Sequence, residues 1–144
     1  MLIGEYKHTL DPKKRLSLPS KWRKELGKTL IVTNGLDNCL FVYPLKEWQK
    51  ITEKIDQLPL GQAGTRDFKR FFLSGAVEVE VDSVGLILVP DFLGEFAALN
   101  AKVVLAGIHD RVEIWAENRW SDYKKRIEIE ADQLAEQLGS LGIL

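Results

Sequence analysis

The stretch Asp11-Pro-Lys-Lys-Arg15-Leu-Ser-Leu-Pro19 returns 71 residues later as Asp82-Ser-Val-Gly-Leu86-Ile-Leu-Val-Pro90, with Gly4 and Gly75 in matching places upstream. Farther on, Gly35 through Tyr43 and Trp48 return as Gly107 through Trp115 and Trp120, now 72 residues on, so one inserted residue separates the two registers. Self-similarity at a fixed spacing makes the repeat the unit of folding. A unit of roughly 50 residues buries too small a fraction of its surface for comfortable stability. The two copies are therefore expected to pack on each other within this chain of 144 residues, 45% of them hydrophobic.

Each copy reads the same way. An extended run, Leu2 to Leu10, meets a turn at Asp11-Pro12-Lys13-Lys14, where proline presets the backbone angle and the aspartate can accept turn hydrogen bonds. Arg15 to Leu18 reads as the return strand of a hairpin, with Leu16 and Leu18 on one face and Arg15 and Ser17 on the other. Pro19-Ser20 starts a short helix with Ser20 as N-cap and Gly27 as its stop, and Pro90-Asp91 does the same in the second copy. Strands follow at Leu30 to Thr33 and Leu40 to Tyr43, matched by Lys102 to Leu105 and Val112 to Trp115, and a helix follows each pair. Trp48, Ile51, Ile55 and Leu58 fall near helical spacing. Leu58 to Gly64 reads as a linker, and Arg66 to Ser74 as a short helix with Phe68, Phe71 and Phe72 on one side. The last helix, about Glu117 to Leu138, carries Trp120, Ile127, Leu134 and Leu141 at sevens, with Ala131 and Leu138 beside them. Such a stripe serves equally to join another subunit or to pack on its own domain.

The copies differ in charge. Residues 4–30 hold eight cations (Lys7, Lys13, Lys14, Arg15, Lys21, Arg23, Lys24, Lys28) against Glu5, Asp11 and Glu25, a net of +5. Residues 75–101 hold Glu78, Glu80, Asp82, Asp91 and Glu95 with no Lys or Arg, a net of −5, within a chain that nets −1. The field over a surface depends on how charge is distributed, so a near-neutral chain can still concentrate a polyanion on its basic half.

The chemistry-bearing residue types point away from catalysis. Cys39 is the single cysteine and is expected in the core; His8 and His109 have no metal-ligand neighbours at His or Cys spacing, so no metal or cofactor is expected. Gly61 to Arg66 lacks the Gly-Lys-Ser/Thr ending of a phosphate loop, and Ser20 has no activating histidine, so the chain is read as a non-enzyme. No stretch approaches a signal peptide or the roughly 20 apolar residues of a membrane span, from which a cytoplasmic protein is expected. The aromatic pairs Tyr43/Trp115 and Trp48/Trp120 occur in both copies regardless of charge and are read as scaffold.

The sharpest local feature is Asp11 with Arg15. In a tight turn the carboxylate can tie down the backbone and orient the guanidinium, whose planar fork suits phosphate or a guanine edge. An exposed ion pair by itself contributes only about 0–1 kcal/mol. Lys13, Lys14, Lys21, Arg23 and Lys24 nearby in sequence favour an anionic ligand, the more so if Arg23 and Lys24 lie in the first turns of a helix, against its dipole.

Taken together, Asp11, Arg15, Leu16, Pro19, Leu40 to Pro44 and Trp48, then Gly85, Pro90, Gly107 and Trp120, resemble the MraZ family across essentially the whole chain. The resemblance implies an α+β, mainly β fold: an internally duplicated AbrB-like (SpoVT-AbrB) swapped-hairpin β-barrel with short helices and a longer C-terminal helix. It implies a bacterial, nucleoid-associated transcriptional regulator that binds double-stranded DNA at direct repeats upstream of the division and cell-wall gene cluster and assembles into a ring-shaped homo-oligomer. The expected organisation is a basic, DNA-contacting repeat at 5–49, a linker and short helix at 58–74, an acidic scaffold repeat at 76–121 and a C-terminal helix at 122–144. Arg15 maps onto the family's DNA-contacting arginine with Asp11 as its partner, and Lys13, Lys14, Lys21, Arg23 and Lys24 complete the expected DNA-binding set. Lys14 stands where the family's first motif has Gly, which puts the turn geometry in question, and Leu86 stands where the second has Arg, which removes the fork from that copy. A protein-interaction or antitoxin-like module of the same fold, working through the C-terminal helix, is the alternative.

Overall fold

The two copies exchange strands. The computed structural model describes all residues from Met1 to Leu144. In the first copy β1 (Leu2–Thr9) is followed by β2 (Arg15–Ser17), α1 (Ser20–Leu26), β3 (Thr29–Asn34), β4 (Leu40–Pro44) and α2 (Leu45–Asp56). After α3 (Ala63–Ser74), the second copy repeats this order as β5 (Val77–Glu80), β6 (Leu86–Leu88), α4 (Asp91–Phe96), β7 (Lys102–His109), β8 (Val112–Ala116) and α5 (Glu117–Ser140). Six strands form an antiparallel sheet in the order β1-β7-β8-β4-β3-β5, and β2 pairs with β6 in a separate two-stranded ribbon. Exchanging each strand for its equivalent in the other copy reverses this order onto itself, so the chain carries a pseudo-two-fold axis.

The simple hairpin read at Leu2 to Leu18 is therefore corrected. Its two arms are joined by the predicted turn but do not pair; β1 runs along β7 and β2 along β6. An isolated two-stranded hairpin is marginal in water. Exchange places Leu16 opposite Ile87, both about fully buried, in a core to which Leu30, Leu40, Leu105 and Ile114 also contribute. Neither copy has an interior without the other. β1 and β7 approach so closely that a Cβ on Gly107 would lie 2.6 Å from the Ile3 nitrogen.

A second cluster joins Cys39, Phe41, Tyr43, Trp115, Ile55 and Phe72, with Trp48 and Trp120 packed against it, as the aromatic scaffold reading requires. Burial pushes the Cys39 thiol pKa up, so it is an inert packing residue. Phe68 and Phe72 stack there 5.4 Å apart, but Phe71 points elsewhere, edge-on to Phe96. Phe68, Phe71 and Phe72 fall at i, i+3 and i+4, but Phe71 lies at the edge of that face, 37% exposed and turned toward Phe96 of α4. Leu58 likewise falls beyond the end of α2 and is exposed.

The helix ends differ from expectation in detail. Ser20 is the first residue of α1 rather than its cap; Pro19 occupies the cap position, and no side chain caps the helix. Gly27 does end it, at φ +79, with its N–H donated to the Arg23 carbonyl. Arg23 and Lys24 lie in the last turn, where the helix dipole favours cations. The expected conflict with the dipole is absent because α1 is only seven residues long.

Candidate nucleic-acid interface

Asp11 builds its turn through both carboxylate oxygens. Oδ1 accepts the backbone N–H groups of Lys13 at 2.9 Å and Arg15 at 2.8 Å, and Oδ2 accepts Arg15 Nε at 2.9 Å. Backbone donation from Arg15, reinforced by its side-chain hydrogen bond and charge, holds the Asp11 carboxyl below its ordinary range. The guanidinium is thus gripped at Nε, leaving Nη1 and Nη2 as a free two-pronged fork on an exposed side chain. A fork fixed at its stem is preorganised for bidentate contact with phosphate or the O6/N7 edge of guanine.

The second copy is an internal control. Asp82 Oδ1 accepts the backbone N–H groups of Val84 at 3.0 Å and Leu86 at 2.8 Å, reproducing the turn without an arginine to orient. Gly85 there has φ +86, and Lys14 in the first copy has φ +65. Lys14 keeps the geometry that Gly85 gives the second turn by entering the left-handed region, a conformation that costs an L-residue roughly 1–2 kcal/mol.

Tertiary pairing separates the cations that sequence places together. Antiparallel pairing of β2 with β6 puts the two turns at opposite ends of the ribbon. Lys14, at the Arg15 end, borders a shallow depression lined by Asp91, Gly94 and Glu95 of α4. At the other end Arg23, Lys24 and Lys28 line a groove against Asp82, Ser83 and Gly85. Arg23 Nε donates to the Leu18 carbonyl at 3.0 Å, and its guanidinium covers Gly85, where a Cβ would lie 2.2 Å from Arg23 Cζ. So Asp11, Lys13, Lys14 and Arg15 form one group, while Arg23 and Lys24 belong to the other turn. Lys21 is exposed on α1. Each turn faces a helix of opposite charge from the other copy, a pairing prepared by the opposite windows of +5 and −5 in the sequence.

The family model of the MraZ protein, described as antitoxin-like, matches residues 1–71 and again 72–139. The chain belongs to the MraZ family. Relatives named transcriptional regulator MraZ include that of Caldanaerobacter subterraneus subsp. tengcongensis, 48% identical over 99% of this chain and all of its own length. Those of Heliobacterium modesticaldum, 49% identical over 96% of each chain, and Clostridium acetobutylicum, 46% identical over 99% of this chain and all of the relative, bear the same name. The predicted family and fold class are thereby established.

Two features escaped the reading of the sequence. Glu5 accepts hydrogen bonds from Trp120 Nε1 and Lys124 Nζ and so pins the base of α5 to β1. Residues 115 and more apart in sequence leave no periodic trace of such a contact. Arg111 is gripped by Glu113 at 2.8 Å over the Phe41 ring, a largely buried pair that also takes the Trp115 indole N–H. Beyond Ile127, by contrast, every residue of α5 is exposed, so only the base of that helix packs on its own domain. No helix is long and apolar enough to cross a membrane.

Proposed function

We propose that the protein is a DNA-binding transcriptional regulator whose first repeat contacts duplex DNA through the Asp11–Arg15 end of the β2-β6 ribbon. The observation that carries this reading is the exposed Arg15 fork, held at Nε by Asp11 with both terminal nitrogens free. Arg15 takes a base edge or a phosphate bidentately, and Lys13 and Lys14 take neighbouring phosphates. Lys21, Arg23 and Lys24 lie toward the other end of the ribbon and meet the backbone farther along. Repeat 76–121 supplies the partner strands that hold repeat 5–49 in shape, with its acidic turn lying against Arg23 and Lys24 of α1. The names carried by the relatives agree with this reading. Direct repeats upstream of the division and cell-wall gene cluster are the targets, read by a ring-shaped homo-oligomer in the cytoplasm, at the nucleoid. Several tips on tandem boxes raise affinity roughly 10²- to 10⁴-fold over a single one.

Gel shift and fluorescence anisotropy with the protein's own upstream DNA test this. Arg15→Ala should abolish specific binding, and Leu86→Arg should add affinity. The log of the binding constant should fall with log salt at about 0.9 per phosphate contacted. Unchanged affinity in Arg15→Ala, or a flat salt response, would remove the central residue and the electrostatic account.

The exposed outer half of α5 favours a second reading, an antitoxin-like or protein-interaction module that holds a partner through Leu134 and Leu138. Deleting residues 128–144 separates the two. Loss of oligomeric mass in light scattering assigns the helix to self-association; unchanged mass and unchanged DNA binding assign it to another protein.

A further inference from the structure

The ribbon that carries Arg15 has a second strand, and its outer face is not inert. We propose that Leu88, from the copy without the arginine, reads thymine 5-methyl groups beside the base edge taken by Arg15, so that each repeat supplies one side chain to a single recognition face. This rests on the DNA-binding reading above and adds a specificity determinant to it.

The register is the starting point. Arg15 faces Leu88, Leu16 faces Ile87 and Ser17 faces Leu86. The Val89 N–H donates to the Lys14 carbonyl at 2.8 Å, and the Leu18 N–H to the Gly85 carbonyl at 3.0 Å. Hydrogen-bonded and non-hydrogen-bonded pairs alternate along an antiparallel ladder. Between those two bonded pairs, Arg15/Leu88 and Ser17/Leu86 are non-hydrogen-bonded pairs. In such pairs the facing Cα atoms are about 4.5 Å apart and the side chains are at their closest. Leu16 and Ile87 project into the core, so Arg15 and Leu88 share the opposite, outward face.

Exposure singles out Leu88. It is 58% accessible, whereas Ile87 and Val89 on either side are 1% and 2%. A lone exposed leucine has no meaning by itself; its position beside a preorganised guanidinium does. A two-stranded ribbon fits the major groove, where the thymine C5-methyl is the one apolar group displayed and guanine offers O6 and N7 to an arginine fork. Successive bases on a strand are about 3.4 Å apart. Side chains about 4.5–5.5 Å apart at Cβ can therefore reach neighbouring base pairs at once. Leu88 has no polar atom and no charge to offer phosphate, so a methyl group is the complementary partner.

Deoxyuridine tests this directly, because it keeps every Watson–Crick edge of thymidine and removes only the methyl. A duplex selected by the wild-type protein from a random library is prepared with thymine or with uracil throughout, and both are titrated against wild type and Leu88→Ala. Burying one methyl corresponds to roughly a fourfold gain in affinity, so wild type should prefer the thymine duplex about fourfold per box. Leu88→Ala should bind both duplexes alike, at the wild-type affinity for uracil DNA. The four-way comparison cancels any change in duplex shape caused by uracil itself, and circular dichroism checks that the variant, altered at an exposed position, is folded. Equal wild-type affinity for the two duplexes would overturn the proposal while leaving DNA binding intact, as would a preference that survives in Leu88→Ala. Failure of wild type to enrich any duplex would overturn both readings.

Discussion

Asp11→Ala and Asp82→Ala form a matched pair of perturbations in which the same turn is damaged twice, once with an arginine attached and once without. Asp11 accepts two backbone N–H groups and Arg15 Nε; Asp82 accepts the two equivalent backbone N–H groups only. Each hydrogen bond contributes a net of about 0.5–1.5 kcal/mol, and the lower end applies to turns exposed to water. Both variants should therefore lose about 1–2 kcal/mol of stability by urea denaturation. Their DNA binding should diverge. Removing a carboxylate beside DNA relieves a repulsion of about 1 kcal/mol at 4 Å in water, which favours binding in both variants and more so at low salt. In Asp11→Ala this gain is opposed by release of the Arg15 stem, since a freed side chain must be immobilised again at about 0.5–1.5 kcal/mol and its bidentate geometry is no longer imposed. Specific affinity should fall about tenfold, a change of about 1.4 kcal/mol, while affinity for unrelated DNA holds or rises. Asp82→Ala should leave the ratio of specific to non-specific affinity unchanged. Anisotropy titrations with operator and scrambled duplexes at fixed salt read both quantities. If the two variants lowered that ratio equally, the turn would matter only as structure and orientation of Arg15 would have no part in recognition.

Lys14→Gly should leave stability within about 1 kcal/mol of wild type, because relief of the left-handed strain is offset by the greater freedom of glycine in the unfolded chain. The same variant should flatten the salt slope of DNA binding by about 0.9, and an unchanged slope would deny Lys14 a phosphate. Glu113→Ala should cost about 1–3 kcal/mol in chemical denaturation, since it leaves the buried Trp115 indole N–H without an acceptor while Arg111 keeps its second partner, Asp110, at 3.1 Å; no measurable loss would show that water replaces the carboxylate. Docking of the base of α5 should be pH-dependent. Its hydrogen bond from Lys124 holds the Glu5 carboxyl below its ordinary 4.5, so this stabilisation is complete above 4.5 and is lost as pH falls through the depressed value. The bond to Glu5 holds the Lys124 ammonium above its ordinary 10.5, so that contribution is complete below 10.5 and disappears as pH rises through the elevated value. The Trp120 indole N–H resonance should therefore titrate with an acidic midpoint below 4.5, and a midpoint at or above it would break the assignment.

Much of the molecule was legible as a sequence because its determinants are local. The turn at Asp11 needs only a carboxylate within reach of N–H groups two and four residues on, and it recurs at Asp82 for the same reason. The aromatic pairs Tyr43/Trp115 and Trp48/Trp120 announced the scaffold because they were indifferent to the charge of their copy. The reading fell short where partners lie far apart along the chain. A hairpin and an exchanged ribbon have the same residues at the same spacing, and the choice between them is made by which core the Leu16 face can enter. The run Leu86-Ile-Leu-Val89 is apolar throughout, so no alternation revealed that Leu88 turns outward. Lys21, Arg23 and Lys24 were grouped with Arg15 by proximity in sequence, whereas antiparallel pairing carries Arg23 and Lys24 to the other turn.

Sequence alone determined the duplication, the family, the two turns and the absence of an arginine from the second, because each is written in short-range chemistry, in motif residues or in the comparison of one copy with the other. Tertiary structure alone decided which strands pair, which cations stand beside Arg15 and that Leu88 shares its face. Those depend on burial of one common core by two halves, a free energy that belongs to the assembled pair and has no local signature.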